Sequence, residues 1–353
     1  MAKFTEIFED VTKKGVKIPS NLYLDTGLYP IIDQGQSAIA GYTNKADGLF
    51  FDVPAIIFGD HTRIFKYVEK PCFLGADGVK LLKAKKPNAN HKYLYYALCN
   101  ADIPNTGYNR HFKWLKEVDI PEYSEEEQED IVLKLDKISH LIALRKRQLS
   151  KLDELVKSRF VEMFGSCPAN TPIMECGKVF TGSTPPMKEE AYYQQADFCF
   201  VKPSDLSYDV RKFSDSECHL SHKAETVARM FNPGSVLVTC IGATIGKMGV
   251  AQVRGSCNQQ INFIETFDNI DSLYLAYAIQ SRHKELVAIA NSTAVPIINK
   301  SEFCKFRIPL PPLALQREFV AFVAKVDKLE FKAKASLEKL ETLKKAMMQK
   351  YFN

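Results

Sequence analysis

The most suggestive short motif in the sequence is a glycine-rich run that could bind phosphate. The run GATIGK spans residues 242–247. A phosphate-binding loop has four residues between its glycines and a Ser or Thr after its Lys. Here only three residues separate Gly242 from Gly246, and Met248 follows Lys247. The run therefore predicts a tight turn between two strands, where glycine supplies a positive φ, and not a nucleotide site.

Residue spacing also argues against a metal site, a nuclease motif and a methyltransferase motif. Cys218, His219 and His222 lack a second ligand pair at the spacing that a metal site needs, so we expect a surface loop. Glu330 and Lys332 have the spacing of a nuclease motif, but they fall in a helical repeat, where a surface pair is the simpler explanation. Neither Pro-Pro pair follows an Asn or Asp, as an amino-methyltransferase motif would require. We expect no catalytic residue, no metal and no cofactor in this chain.

The composition is that of an ordinary globular protein. With 353 residues, 46% of them hydrophobic and 25% charged, the chain is expected to form two or three packing units of about 100–200 residues. No apolar run approaches the ~20 residues of a membrane span. Nine cysteines without a CxxC pair indicate reduced thiols and a cytoplasmic location. The net charge of +5 is modest, so a nucleic-acid ligand would need local basic patches or a partner's charge.

A repeat organises the chain. Segments beginning at Ile120-Pro121 and Ile308-Pro309 align without a gap at an offset of 188 residues, so that Phe164 matches Phe352. Each segment reads as one long helix with no Gly or Pro for about 40 residues. Ser124 and Glu127 have the spacing of a capping box at the start of the first.

Apolar residues in both segments follow the alternating four- and three-residue spacing of a coiled coil. The positions predicted to pair the helices are Ile131, Leu135, Ile138, Ile142, Leu149, Leu152 and Val156 in the first helix, and Phe319, Val323, Val326, Leu337, Leu340 and Met347 in the second. The alternative is that each helix lies on its own domain. A 40-residue helix is ~60 Å long, which is more than a small domain can cover.

A weaker repeat precedes each helix. The buried run at 54–59 resembles that at 233–238, and helical segments beginning near Tyr93 and Tyr274 follow in the same order. Short strands separated by Gly, Asp and Asn turns fill the rest. We therefore predict an α+β fold with mainly antiparallel strands, in which two mixed α/β domains are separated by two long antiparallel helices with pseudo-twofold internal repetition. The expected domains are 1–119, 120–165, 166–307 and 308–353.

This organisation resembles the DNA-specificity subunit of type I restriction-modification enzymes. The local signatures are GATIGK at 242–247, Ser292-Thr293 through Ile298-Asn299-Lys300, and IPLPPLALQ at 308–316. The first copy keeps the Ile-Pro and the Gln but has degenerate versions of the other two. The resemblance covers essentially the whole chain, and the order of the motifs, repeated with a long helix after each, is its most specific feature.

The resemblance implies a subunit without catalysis. Each globular domain would be a target recognition domain that reads one half of a split double-stranded DNA site. The helices would set the gap and dock two methyltransferase subunits and, indirectly, the restriction and translocase subunits. S-adenosylmethionine would belong to the partner methyltransferase. A coiled-coil adaptor whose domains bind protein remains the alternative.

Candidate DNA contacts lie in loops that mix hydrogen-bonding side chains with aromatic ones. Arg and Lys can contact guanine and Asn can contact adenine, although each can equally serve as a phosphate contact or a solvated loop residue. The candidates are His61, Arg63, Lys66, Tyr108, Asn109, Arg110, His111 and Lys113 in the first domain, and Thr244, Lys247, Asn291, Ser292, Thr293, Asn299 and Lys300 in the second.

Overall fold

The computed structural model describes residues 1–75, 78–290 and 295–353. They form two compact units, one of Met1–Arg147 with Ala333–Asn353 and the other of Gln148–Lys332. Each unit contains one α+β domain and a segment of each long helix. The first domain therefore packs with the start of the first long helix and the end of the second, and the second domain packs with the end of the first long helix and the start of the second.

The first unit begins and ends its α+β part with a small antiparallel pair of strands. Its strands are β1 (Ala2–Lys3), β2 (Phe8–Asp10), β3 (Tyr29–Ile32), β4 (Gly41–Thr43), β5 (Ala55–Gly59), β6 (Phe65–Val68), β7 (Phe73–Leu74), β8 (Val79–Ala84) and β9 (Asp119–Ile120). Its helices are α1 (Phe4–Ile7), α2 (His91–Asn100), α3 (Phe112–Leu115) and the first part of α4 (Glu125–Phe164), with 3-10 turns at Thr12–Lys14 and Ser20–Leu22.

The second unit repeats this plan. Its strands are β10 (Ala169–Pro172), β11 (Gly177–Thr181), β12 (Phe198–Val201), β13 (Lys212–Phe213), β14 (Cys218–Leu220), β15 (Met230–Phe231), β16 (Val236–Thr239), β17 (Met248–Ala251), β18 (Gly255–Cys257), β19 (Ile261–Thr266) and β20 (Arg307–Pro309). Its helices are α5 (Ser272–Ser281), α6 (His283–Ala288), α7 (Lys300–Lys305) and the first part of α8 (Leu313–Phe352), with 3-10 turns at Ile173–Glu175, Glu190–Tyr192, Pro203–Asp205 and His222–Thr226.

The sheet topologies of the two units correspond, except that each sheet of the second unit has one additional edge strand. The order β2-β8-β5-β6 in the first unit matches β11-β19-β16-β17 in the second, which adds β13 at its edge. A distal sheet has the order β4-β3-β7 in the first unit and β14-β12-β18-β15 in the second. Pairing is mainly antiparallel, with parallel pairs β3–β7, β12–β18 and β13–β17. The predicted α+β class and internal repeat are confirmed.

The first long helix begins where the capping box predicted. The Glu127 amide donates to Ser124 Oγ at 3.3 Å, and the Ser124 amide donates to the Glu127 carboxylate at 2.9 Å. These two bonds satisfy backbone donors that a helix start otherwise leaves unpaired. The helix then continues without interruption to Phe164.

The two long helices run antiparallel within each unit. In the first unit, the Tyr123 hydroxyl donates to the Tyr351 carbonyl at 3.1 Å, and Lys146 Nζ lies 2.9 Å from the Glu341 carboxylate. In the second unit, Arg159 pairs with Glu318 at 3.2 Å, close to the end of α4 and the start of α8. Residue numbers therefore rise along α4 as those of the contacting residues fall along α8, which is the predicted antiparallel arrangement.

The core of each unit takes residues from both helices, so neither helix lies only on its own domain. The first core joins α4 and α8 residues to strands and to α2: Phe8, Ile56, Phe58, Tyr93, Leu98, Ile131, Leu135, Met348 and Phe352. The second does the same: Leu152, Val156, Phe160, Phe164, Tyr274, Ile279, Phe319, Val323 and Val326.

All of the predicted pairing positions are buried or half-buried. The buried positions are Ile131, Leu135, Ile138, Leu152, Val156, Phe319, Val323 and Val326, and the half-buried ones are Ile142, Leu149, Leu337, Leu340 and Met347. Apart from Ile138, the buried positions belong to the two cores, which combine residues of α4, α8 and an α+β domain.

Candidate nucleic-acid interface

The glycine-rich run of the second unit is a turn between β16 and β17. Gly242 and Gly246 have φ values of 95° and 85°, which glycine adopts without steric cost. The Thr239 amide donates to the Lys247 carbonyl at 2.8 Å, and the Gly246 amide donates to the Thr239 carbonyl at 2.9 Å. The tight turn predicted from spacing is confirmed. It holds Thr244 half-buried at its tip.

A second candidate segment lies directly beside this turn. The Gly242 amide donates to the Pro296 carbonyl at 2.9 Å, and the Ile298 amide donates to the Cys240 carbonyl at 2.8 Å. Two separate stretches of sequence therefore meet at one edge of the second domain. Asn291, Ser292 and Thr293 lie outside the described residues.

The candidate side chains at this edge differ in what they contact. Asn299 accepts a bond from the Glu302 amide at 2.9 Å and so caps α7, a structural role that sequence reasoning missed. The Lys300 ammonium lies 5.9 Å from the centre of the Phe180 ring. The Lys247 ammonium donates to the Pro203 carbonyl at 3.5 Å and lies 5.9 Å from the Tyr208 ring. Both ammonium groups therefore lie beside an aromatic ring.

The first unit also brings two predicted clusters together. The imidazole of His61 stacks on the ring of Tyr108, with centroids 4.6 Å apart and planes 7° from parallel. His61 Nδ1 lies 3.2 Å from the Asn109 carbonyl, and the Arg63 guanidinium donates to the Ile103 carbonyl at 3.1 Å. The loop after β5 and the loop before α3 therefore form one surface. On this surface Tyr108 is 88% exposed to solvent.

Two of the candidate DNA-binding residues of the first unit have buried side chains. The Lys66 ammonium is buried against the Asp33 carboxylate at 3.2 Å and the Ser37 carbonyl at 2.6 Å. His111 is fully buried, with Nδ1 2.9 Å from the Asp60 carbonyl. Both side chains are buried. Sequence alone could not separate them from their exposed neighbours, because their partners are distant in the chain.

The remaining candidates, in the loop before α3 and within α3 itself, face solvent. Asn109, Arg110 and Lys113 are exposed. The Lys113 ammonium lies 4.0 Å from the centre of the Trp114 ring. Asp60, which sequence reasoning missed, anchors this loop by accepting from the Phe112 amide at 2.7 Å. The sequence feature that could have identified Asp60 is its position directly after the buried strand β5.

The acidic member of the nuclease-like spacing has a structural partner. Glu330 was expected to form a surface pair on the helix, and this expectation was wrong. Both of its carboxylate oxygens accept bonds from Arg211 Nη1 at 2.8 Å, and its side chain is only 10% exposed. Arg211 also reaches Asp153 of α4 at 3.3 Å. Glu330 of α8 thus binds the α+β domain of the second unit.

The protein is therefore an internal duplication of one structural unit, an α+β domain followed by a long helix of an antiparallel pair. The family model of the type I restriction modification DNA specificity domain matches residues 1–154 and again residues 171–342. The chain belongs to this family. Its members of known role are specificity subunits, and they are not the catalytic components.

Individual relatives agree with this assignment. The chain is 25% identical over 349 residues to the Type I restriction enzyme EcoR124I/EcoR124II specificity subunit of Escherichia coli, covering 91% of this chain and 84% of that protein. It is 28% identical over 185 residues to the MjaIX specificity subunit of Methanocaldococcus jannaschii, covering 51% of this chain and 42% of that protein.

A solved structure has the same fold. The S subunit of a type I restriction-modification system from M. genitalium superposes with a TM-score of 0.59 at 16% identity, covering 100% of this chain and 95% of that one. Within the described ranges, no helix of this protein is long and apolar enough to cross a bilayer.

Proposed function

We propose that this chain is the DNA-recognition subunit of a type I restriction-modification complex, and that each α+β domain reads one half of a split target. The observation that carries the proposal is the duplicated fold, matched twice by the DNA specificity domain. A duplicated reader suits a target with two unlike halves. A coiled-coil adaptor that binds protein would need no such pair of polar loop surfaces.

The first domain would contact DNA through the joined loops around Tyr108. Arg110 and Lys113 are exposed cations suited to phosphate contacts. Asn109 carries an amide that can pair with adenine. The stacked pair of His61 and Tyr108 offers an aromatic face and two polar edges at the same surface.

The second domain would contact DNA through the edge formed by the turn after β16 and the start of α7. Lys247 and Lys300 would supply positive charge there, and Thr244 a hydroxyl at the tip of the turn. The modest net charge of +5 makes a bound partner's charge necessary for tight binding at physiological salt. Both surfaces are therefore proposed to act inside a complex.

The long helices would set the gap between half-sites and dock two methyltransferase subunits, which would carry S-adenosylmethionine. Restriction and translocase subunits would attach indirectly. Each helix has 40 residues, or ~60 Å at 1.5 Å per residue, enough to space two DNA contacts. The duplicated fold suggests two equivalent docking surfaces. We place this complex in the cytoplasm, where the nine free cysteines would stay reduced.

Genome-wide methylation mapping with the gene present and deleted tests the proposal. The expected result is one bipartite motif, with two specified halves around a fixed gap, that loses methylation on deletion. A DNA-retention assay with the methyltransferase added is the second arm. If methylation is unchanged and DNA retention lacks sequence selectivity with and without the partner, the adaptor function is correct instead.

A further inference from the structure

The distal sheet of the second unit brings together three side chains that are common metal ligands. The thiol of Cys199, an imidazole nitrogen of His219 and a carboxylate oxygen of Asp215 all lie within 4.8 Å of one another. We propose that these residues form a site for a divalent transition-metal ion of the zinc class. This inference does not depend on the proposed DNA-binding function.

Strand register holds two of the ligands in place. Cys199 on β12 pairs directly with His219 on β14 in an antiparallel ladder. Directly opposed residues in such a ladder project from the same face of the sheet. The thiol and the imidazole are thus neighbours although 20 residues separate them in sequence. The backbone fixes their spacing before any ion binds.

Asp215 completes the set from the loop that precedes β14. Its Oδ1 lies 2.8 Å from His219 Nε2 and accepts a bond from the Ser216 amide at 2.8 Å. These two bonds fix the orientation of the Asp215 carboxylate. The carboxylate therefore already lies beside the imidazole.

The donor types favour zinc over the hard cations. Zinc binds thiolate, imidazole and carboxylate at about 2.0–2.3 Å, which places neighbouring donors of a tetrahedral site about 3.3–3.8 Å apart. The three donor atoms lie within 4.8 Å of one another, so binding would draw them closer together. Magnesium and calcium prefer oxygen-only sets, so a buried thiol disfavours them. Water would take the fourth position.

The site also has an entry path. Cys199 is 5% exposed and forms its floor, whereas the carboxylate of Asp215 is largely exposed to solvent. An ion could therefore enter from the Asp215 side and displace water. Once bound, it would join β12 to the loop before β14. The segment between them, 202–217, includes the Pro203 carbonyl that accepts from Lys247.

Cobalt titration of the full chain tests the site. Cobalt(II) occupies zinc sites, and a thiolate ligand then gives a charge-transfer absorption in the near ultraviolet. We expect one cobalt ion per chain with this band, under a phosphine reductant that does not bind metal. Cys199→Ser should abolish the band. Asp215→Asn leaves the buried thiol intact and should weaken binding by more than about 10-fold.

The matched control is Cys218→Ser. Cys218 adjoins His219 on β14, but its side chain lies on the opposite face, where its sulfur accepts from the Lys202 ammonium at 2.9 Å. This variant should keep the band and the affinity. The proposal is overturned if the band survives in Cys199→Ser, if Cys218→Ser removes it equally, or if the unaltered chain binds no cobalt. Circular dichroism of each variant checks that the fold is retained.

Discussion

The ring of Tyr93 packs against the ring of Phe352, with centroids 5.4 Å apart, while its hydroxyl donates to the Pro121 carbonyl at 2.7 Å. The second unit repeats this arrangement. There Tyr274 packs against Phe164 at 5.1 Å, and its hydroxyl donates to the Pro309 carbonyl at 2.8 Å. In each unit, one buried tyrosine donates a hydrogen bond to the proline that precedes one long helix. Its ring packs against the phenylalanine that ends the other long helix.

Removing this tyrosine should destabilise its unit through both of its contacts. Tyr93→Phe keeps the ring and loses one hydrogen bond, so we expect a loss of about 0.5–1.5 kcal/mol of unfolding free energy. Tyr93→Ala also creates a cavity and should cost about 3–5 kcal/mol. Urea unfolding followed by fluorescence measures both. Tyr108→Ala, at an exposed ring, is the control and should change stability by less than about 0.5 kcal/mol.

The pair of Glu330 and Arg211 should stabilise the second unit. Glu330→Ala leaves a partly buried guanidinium without two of its bonds, and we expect a loss of about 1–3 kcal/mol in urea unfolding. Glu338→Ala on the exposed face of α8 is the matched control. A double variant, Arg211→Met with Glu330→Met, should recover part of the loss, because apolar packing can replace a buried ion pair. An equal loss in Glu338→Ala would contradict a specific role for Glu330.

Features with local signals could be predicted from the sequence. The capping box at Ser124, the turn at Gly242 and the 188-residue repeat all depend on residues close in sequence or on matched periodicity. The antiparallel direction followed from chain connectivity. Such features need no knowledge of side-chain packing, which is why periodicity and turn chemistry were sufficient.

Features that depend on distant partners could not be predicted. Lys66 reads as a solvent-exposed cation until β6 is placed beside Asp33, 33 residues earlier. Cys199 and His219 become neighbours only through the register of β12 and β14. Glu330 looked like a surface residue because Arg211 lies 119 residues away. In each case the deciding contact is set by sheet register or helix docking, and neither leaves a local pattern.

The exposed loop cations of the first domain should act as phosphate contacts in the assembled complex. Arg110→Ala and Lys113→Ala should each weaken DNA binding and reduce the dependence of log K on log salt by about 1. The sequence of the second half-site should be unchanged. Fluorescence anisotropy over a salt series, with the methyltransferase present, measures this. Glu117→Ala, close by on the surface, is the control. Unchanged salt dependence in both variants would remove these residues from the interface.

The helix pair should act as a spacer between half-sites. Arg145 Nε donates to Ser336 Oγ at 3.2 Å, so these positions are level on the paired helices. A heptad inserted after Leu144 and another after Ser336 preserve the apolar spacing and lengthen the pair by ~10 Å. The methylated motif should gain about 3 base pairs in its gap, with both halves unchanged. Altered halves with the original gap in methylation mapping would contradict the spacer role.

A fragment of residues 1–165 should form a symmetric dimer. It keeps Tyr93 and the first long helix but lacks Phe352 and the rest of α8. Phe164 is the repeat equivalent of Phe352 and already packs on the equivalent tyrosine in the second unit. Phe164 of one copy can therefore contact Tyr93 of another, and the contact is reciprocal.

Charge should make this dimer weaker than the intact pairing. The segment 120–164 has a net charge of −2, whereas α8 has a net charge of +4, so two copies of the first segment repel modestly where α4 and α8 attract. Light scattering over a concentration series should detect a dimer, strengthened by added methyltransferase, that modifies a palindrome of the first half-site. Phe164→Ala should abolish dimerisation, whereas Val161→Ala, at an exposed position on the same turn, should not. A fragment that stays monomeric and modifies no symmetric site with the methyltransferase would contradict the equivalence of the two helix ends.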